Sequence, residues 1–450
     1  MARRVEQRGY QYSCTKIVLV LTVLNVLLML RLLHNGCTKI YLEPSKFQIT
    51  SLKTQPKEKC KFETSSFKLD PRLARWDSQR RYKMIDRALV GVRYLKLSDE
   101  FSVCLATQTS VEKLDSLVHI ANHWSGPISI AVFVVGDDEY AIVREYIKFL
   151  RQCFSRVKNQ VSFHLAFPSE QVPSSSPPPK NISARNCGKH EAVLEELVLQ
   201  RATEIVEWHR NNPYPQNHMR NLARKNCLTP QVFLTDVDVI PSIRAAEGLH
   251  EFFKTENCTK CAYVIPTYEL ATNWPFPRTK KQLVRLSRNG LARPFHQKIF
   301  LLNSFATNHS KWEEDTIEKP VHVSHNVTHL KFYYEPFYIS EDSAPPHDER
   351  FIGYGLTKNT QVFEMSIAGY KFFVLSPVFT VHWGLQNNVR RPMWRERQNN
   401  NNYRKLYSFK REIYIRHNYR LSHPTTSSTL TDSEGEILLP PAGSTQHSSD

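Results

Sequence analysis

From about residue 100 onward, apolar residues fall into short runs separated by amphipathic stretches. Residues 101–107 read as a strand, and Ser110 stands where it can cap a helix to about 123, with Val111, Leu114, Leu117, Val118 and Ala121 on one face. A second strand is predicted over 128–135. Asp137 and Asp138 then open a helix whose apolar face carries Ile142, Tyr146, Phe149 and Leu150. Residues 161–167 form a third strand. The run Ser174-Ser-Ser-Pro-Pro-Pro179 makes 168–187 an exposed loop, followed by a helical pattern over 191–208 and a further helix in the second half of 212–224. That helix feeds a strand at 232–235. Beyond it come a helix at 244–254, a strand at 261–266 and a basic helix at 279–288. Strands at 295–300 and 331–339, a helix at 363–368, and short strands at 372–375 and 379–382 complete the pattern. Strand and helix alternate, which predicts an α/β domain on a mixed, mostly parallel central sheet with right-handed crossovers.

The N-terminus has a different texture. Arg3, Arg4, Arg8 and Lys16 precede an apolar run over 17–30 interrupted only by Thr22 and Asn25, and Leu32 and Leu33 extend it past Arg31. This predicts a transmembrane signal anchor at 17–33 behind a cytosolic tail at 1–16, with everything after it lumenal. A cleaved signal peptide is the alternative, but no clear small-x-small cleavage site follows. Residues 34–98 are polar and lysine-rich, with Pro44, Pro56 and Pro71, and read as a stem; 80–96 is expected to add a helix at the domain edge. The globular domain is expected over 99–422, and the Ser-, Thr-, Gly- and Pro-rich residues 423–450 as a disordered tail.

Composition agrees with a lumenal chain. Glycosylation triplets begin at Asn181, Asn257, Asn308 and Asn326, and eight of nine cysteines follow the anchor, where disulfides are permitted. Cys104, inside a strand, reads as a free buried thiol. Cys258-Thr-Lys-Cys261 has zinc-type spacing but no second ligand pair, so it reads as a disulfide participant or two unrelated cysteines. The net charge of +17 raises nucleic acid as a partner. A lumenal compartment and the lack of any nucleic-acid motif exclude it. Phosphates of a sugar nucleotide, or an acidic glycan, suit that charge better.

The candidate chemistry centres on Gln231-Val-Phe-Leu-Thr-Asp-Val-Asp-Val-Ile-Pro-Ser242. An apolar strand runs into Asp236 and Asp238, and Pro241 ends its ladder. Residues i and i+2 of a strand share a face, so both carboxylates can converge on Mg²⁺ or Mn²⁺, which leave positions for water and phosphate. The bland reading is a chance pair in an exposed loop. Position after at least three strand–helix steps, at the carboxyl end of a sheet strand, favours metal. Haloacid-type phosphatases also carry Asp-x-Asp, but there it opens the domain; here about 130 residues precede it.

With these residues located, the chain resembles glycosyltransferase family 49, which contains β-1,4-glucuronyltransferases and the C-terminal domain of LARGE-type enzymes. The likeness covers about 100–415. It rests on Tyr214-Pro-Gln-Asn-His-Met-Arg-Asn221, the Asp-x-Asp stretch, Tyr334-Glu-Pro-Phe-Tyr338, Asp348-Glu-Arg-Phe351 with Tyr354-Gly355, and Val381-His-Trp-Gly384. The resemblance implies a GT-A fold and inverting transfer from a UDP-sugar, with Mn²⁺ (or Mg²⁺) held by Asp236, Asp238 and His382. It implies a catalytic base at Asp348 or Glu349, Asp348 being favoured; the bland reading of that pair is a helix-start acidic motif ion-paired with Arg350. Arg220 and Asn221 contact the nucleotide or fix the helix beneath the metal strand, and Thr107 and Gln108 are further candidates for nucleotide contact. Tyr334 to Tyr338 line an acceptor groove or pack a strand. The implied enzyme is a type II Golgi membrane protein carrying glucuronate from UDP-glucuronate to a xylose-ended or related glycan on a glycoprotein. The alternatives are β-1,3-N-acetylglucosamine transfer from UDP-GlcNAc and a non-catalytic glycan-binding pseudoenzyme. Association with itself or with other Golgi transferases stays open.

Overall fold

The computed structural model describes residues 67, 74–174, 178, 180–182, 186–315, 319–387 and 392–419. The expected anchor, cytosolic tail, most of the stem and the C-terminal tail lie outside the described residues. Among the described residues, no helix is long and apolar enough to cross a membrane.

The chain first runs through Arg75–Trp76 (β1) and Tyr82–Leu89 (β2), then Val103–Thr109 (β3), Ile128–Phe133 (β4) and Val161–Pro168 (β5). Gln231–Leu234 (β6) and Ile240–Pro241 (β7) flank the two aspartates. Cys261–Ile265 (β8), Thr267–Leu270 (β9), Ala292–Pro294 (β10) and His322–Asn326 (β11) follow. Phe337–Glu341 (β12), Lys371–Ser376 (β13) and Thr380–Trp383 (β14) complete the strands. Ten of them form one sheet in the order β1-β2-β5-β4-β3-β6-β12-β8-β13-β11, and β10-β9-β14-β7 form a second.

Strands β3, β4 and β5 are buried along their whole length, as continuous apolar strands covered on both faces must be. They run parallel, joined by the helices Leu117–His123 and Gly136–Cys153, and β6 continues the parallel set beside β3. The large sheet as a whole is mixed. Only four of its nine junctions are parallel: β12 inserts antiparallel between β6 and β8, and β1, β2 and β11 add antiparallel junctions toward the two edges. The expectation of a mostly parallel sheet is corrected to that extent.

Other expectations are also corrected. Residues 80–96 are not one helix: β2 pairs antiparallel with β5, and only Tyr94–Glu100 is helical. Tyr82 and Met84 alternate with Lys83, which satisfies the open edge of β5 better than a helix would. Part of the expected stem therefore belongs to the sheet. The pattern over 191–208 splits into His190–Leu199 and Thr203–Asn211, with Ala202 extended and its N–H donated to Asp138 (2.8 Å). Residues 295–300 turn instead of pairing, since His296 sits at φ 61° directly after β10. The strand expected over 331–339 starts only at Phe337, after Pro336, which has no N–H to donate. Cys104 is not a free thiol; it is bonded to Cys227, while Cys153 is bonded to Cys187 and Cys258 to Cys261.

Candidate active site

Strand β6 carries the chain to Thr235, whose N–H donates to Ala106 O, and the aspartates follow in a turn closed by Val239 N–H to Asp236 O (3.0 Å). The turn re-enters structure at β7, which pairs antiparallel with β14 through Ile240 and Val381. One further step in that register sets His382 level with Val239, and its Nε2 lies 3.8 Å from Asp238 Oδ2. Three sequence candidates thus meet: Asp236 and Asp238 from one turn, and His382 from a strand 144 positions further on.

Each carboxylate is held by cations. Lys113, just beyond β3, places Nζ 2.6 Å from Asp238. Lys358 Nζ and Arg220 Nη2 each stand 3.5 Å from Asp236, on different oxygens, and Gln108 Nε2 donates to Asp236 at 3.3 Å. The Tyr214 hydroxyl in turn donates to Gln108 Oε1. Burial by itself would raise the Asp236 pKa, but Lys358 and then Arg220 more than offset it and hold the group below the usual carboxylate range. Burial acts the same way on Asp238, where the neighbouring His382 imidazole and Lys113 win. Both are therefore anionic at neutral pH.

Two carboxylates and an imidazole suit a borderline-hard divalent cation. The Nδ1 of His382 is buried without a hydrogen-bond partner among the described residues, an orphan that ligation would satisfy once the ring turns. Tighter groups of potential ligands exist elsewhere: Asp77–His218–Glu349, His119–His190–Glu191 and Glu112–Glu139–His209 each bring their atoms within 4.8 Å. Glu139 in the last is already bound by Arg201 and His209. The looser Asp236–Asp238–His382 set is the better metal candidate, because it adjoins a pocket and leaves His382 Nδ1 without a partner among the described residues.

Two open pockets meet beside Asp236. One, of about 290 Å³, is lined by Arg220, Asp236, His347 and Lys358 among others. The second, of about 370 Å³, is lined by Thr267, Phe295, His296, Asn303 and Glu335, and shares Pro336, Phe337 and Lys358 with the first. The Lys358 ammonium lies over the Phe337 ring at 3.7 Å.

The remaining candidates divide. Arg220 and Gln108 reach Asp236 directly. Thr107 is completely buried inside β3, its hydroxyl without a hydrogen-bond partner among the described residues. Asn221 donates to His347 O (2.8 Å) and Glu349 Oε1 (3.1 Å) and accepts from His347 N–H (2.9 Å), which ties the acidic loop to the helix. Asp348 takes up the bland reading: Arg350 Nη2 and Nε grip it at 2.7 and 3.0 Å, and Arg350 also pairs with Glu412. Glu349 leans on Asn221 and on His218, at 3.7 Å, whose ring also meets Asp77. Asn217 and Asn221 of the helix Gln216–Lys225 hold the pair, while Arg220 on the same helix face reaches Asp236. No helix begins at the acidic pair either; the next one starts at Asn359. Nothing local in the sequence marks Lys113 or Lys358; Glu335 falls in the stretch Tyr334 to Tyr338, expected to line an acceptor groove or pack a strand, and it lines the second pocket.

The fold and this site are those of an enzyme, a glycosyltransferase, and the likenesses of the chain say so. A family model described as "Glycosyl-transferase for dystroglycan" matches residues 102–419, and the chain belongs to that family, glycosyltransferase family 49. It is 30% identical over 327 residues to Beta-1,4-glucuronyltransferase 1 of Mus musculus, covering 71% of this chain and 77% of the relative. It is 25% identical over 296 residues to Xylosyl- and glucuronyltransferase LARGE1 of Homo sapiens, covering 64% of this chain and 32% of that one. Among solved structures, GalNAc-T7 with UDP, GalNAc and Mn²⁺ matches at TM-score 0.36 and 8% identity, over 70% of this chain and 50% of the other. Staphylococcus aureus TarS 1-349 with UDP matches at 0.30 and 11%, over 71% and 76%. Nothing about this chain rests on likenesses that slight.

Proposed function

We propose that this chain is a type II Golgi membrane enzyme of GT-A type that transfers glucuronate, with inversion, from UDP-glucuronate to a xylose-ended or related glycan on a glycoprotein. The observation that carries the reading is the convergence of Asp236, Asp238 and His382 beside a pocket lined by Arg220 and Lys358, with Lys113 paired to Asp238. In this reading the aspartates and His382 hold Mn²⁺, or Mg²⁺, which when bound supplies charge neutralisation to the departing diphosphate. Lys113 and Lys358, released from the aspartates, turn to the anionic donor. Arg220 and Gln108 keep Asp236 aimed, and Tyr214 keeps Gln108 from rotating. The choice of glucuronate follows the mouse relative, whose name is that of a glucuronyltransferase and most of whose length the chain spans.

The test is release of UDP by the full-length protein with Mn²⁺, a panel of UDP-sugars and a xylose-ended acceptor. UDP-glucuronate is expected to be the preferred donor and chelation to abolish turnover. Asp236→Asn should lower kcat by about 10²-fold or more, as loss of a charge-stabilising group does. Preference for UDP-GlcNAc would move the donor assignment to N-acetylglucosamine. Glycan binding with neither UDP release nor metal uptake would make the chain a lectin-like pseudoenzyme. Protease protection of an epitope placed after residue 34 tests the lumenal orientation.

A further inference from the structure

Attack of an acceptor hydroxyl on the anomeric carbon requires a base, and the carboxylates around the site can be examined one by one. Asp236 and Asp238 are committed to the cations. Glu269 is completely buried and saturated: it pairs with Arg293 at 2.8 Å and accepts from the N–H groups of His296 and Gln386, both at 3.0 Å. Asp348 is gripped by Arg350, and Glu349 by Asn221. None of Glu269, Asp348 and Glu349 lines either pocket beside Asp236.

Glu335 does line a pocket. Strand β12 pairs antiparallel with β6 through Tyr338 and Leu234. Asp236 leaves that ladder and Glu335 enters it at the same end, near enough for their charges to interact. Its backbone is tied down by N–H donation to Asn303 O (2.9 Å), and Pro336 stiffens the next residue. Its side chain accepts from Asn303 Nδ2 at 3.3 Å and from the Asn359 backbone N–H, and it faces the larger pocket. Phe295 and His296, stacked at 3.9 Å, offer that pocket an aromatic face of the kind sugar rings pack on.

We propose that Glu335 is the catalytic base of this glycosyltransferase and that the pocket lined by Phe295, His296, Asn303 and Glu335 receives the acceptor sugar. The proposal rests on the transferase reading above and replaces Asp348 and Glu349 in the role of base. The acceptor oxygen forms its bond to the anomeric carbon as the bond from that carbon to the diphosphate oxygen breaks, the electron pair leaving with UDP. The acceptor proton passes to the Glu335 carboxylate and from there to solvent. Burial raises the Glu335 pKa; Lys358 and Arg220 oppose the rise and Asp236 adds to it, leaving a more basic carboxylate than a free one. His296 faces the same pocket, and burial pushes its pKa down to about 4, so the histidine is neutral and adds no charge near neutral pH.

The experiment compares wild type with the isosteric Glu335→Gln in the full-length protein, reading UDP release, UDP–Mn²⁺ binding by thermal shift, and the pH profile of kcat/KM. The expected result is a fall in kcat of about 10²–10⁴-fold, with the UDP–Mn²⁺ shift unchanged and the acid limb of the profile lost. Glu335→Asp should recover part of the rate and restore the limb. Turnover of Glu335→Gln within about fivefold of wild type, far short of what loss of a base costs, overturns the proposal. So does an acid limb that survives the substitution. Loss of the UDP–Mn²⁺ shift would make Glu335 a donor-binding residue and overturn the base role while sparing the transferase reading. A wild-type protein that releases UDP from no donor overturns both.

Discussion

His164 shows how a single buried side chain sets a property of the whole chain. Its Nδ1 accepts from Arg87 N–H at 2.8 Å. Its Nε2 meets Ser129 Oγ at 2.9 Å, and that hydroxyl already spends its proton on Ala223 O. The ring is therefore a neutral Nε2–H tautomer, and protonation would set a second N–H against that of Arg87. Burial pushes its pKa down to about 3, and burial likewise pushes His309 down to about 4. The unfolded chain takes up these protons below about 6.5 and the fold does not. Stability is then full above about pH 6.5 and is lost as pH falls toward the folded values, on the order of 2 kcal/mol from His164 by pH 4.5. Urea midpoints measured from pH 7 to 4.5 should fall steadily, and His164→Gln should flatten that slope whatever it does to stability at pH 7. An unchanged slope would mean that His164 titrates normally.

The element that organises the site is the helix Gln216–Lys225. Asn217, Arg220, Asn221 and Arg224 are spaced i, i+3, i+4 and i+7, so they share one polar face, while Met219, Leu222 and Ala223 bury the other. That polar face points inward. Arg220 reaches Asp236, Asn217 donates to Asp348 O (2.8 Å), and Asn221 brackets His347. Arg224 donates to Asp342 Oδ1 (2.8 Å), Asp342 O (2.6 Å), Pro345 O (2.9 Å) and Ala344 O. One guanidinium thus satisfies three carbonyls of the loop after β12. Arg224→Met fills the volume but leaves those acceptors unpaired, at a cost of about 2–4 kcal/mol. A lowered urea midpoint and new protease cleavage over 342–349 should follow, and a loop that stays protected would show that other contacts hold it.

Across the whole molecule, the order of strands decides what meets at the centre. The parallel run β5-β4-β3-β6 brings the aspartates to its last strand, and the antiparallel insertion of β12 lays Glu335 beside them. The second sheet returns β14 beside β7 and delivers His382. The bond from Cys104 to Cys227 ties β3 to the segment entering β6 across 123 residues. Closing a loop of that size restrains the unfolded chain by roughly 5 kcal/mol. Replacing both cysteines by alanine should lower the melting temperature markedly while metal and UDP still bind to the folded fraction. An unchanged melting temperature would show that the bond contributes little to this fold.

Much of this was legible in the chain alone, for local reasons. The alternation of apolar runs and amphipathic stretches follows from the two- and 3.6-residue periods of strand and helix, and it located β3 to β6 and the helices between them. Asp236 and Asp238 could be read because one short stretch supplies both the strand and the ligands, and the family likeness could be read because its motifs are contiguous. What depended on partners distant in sequence was not legible. Residues 82–89 became a strand because β5 had an open edge. Cys104 found Cys227, and Asp348 went to Arg350. Lys113, Lys358 and Glu335 look like ordinary surface and strand residues until the pairing of β12 with β6, and the turn of β3 toward Asp238, bring them beside the two aspartates. Local periodicity determines which elements form; register and strand order, set by long-range pairing, decide which side chains meet.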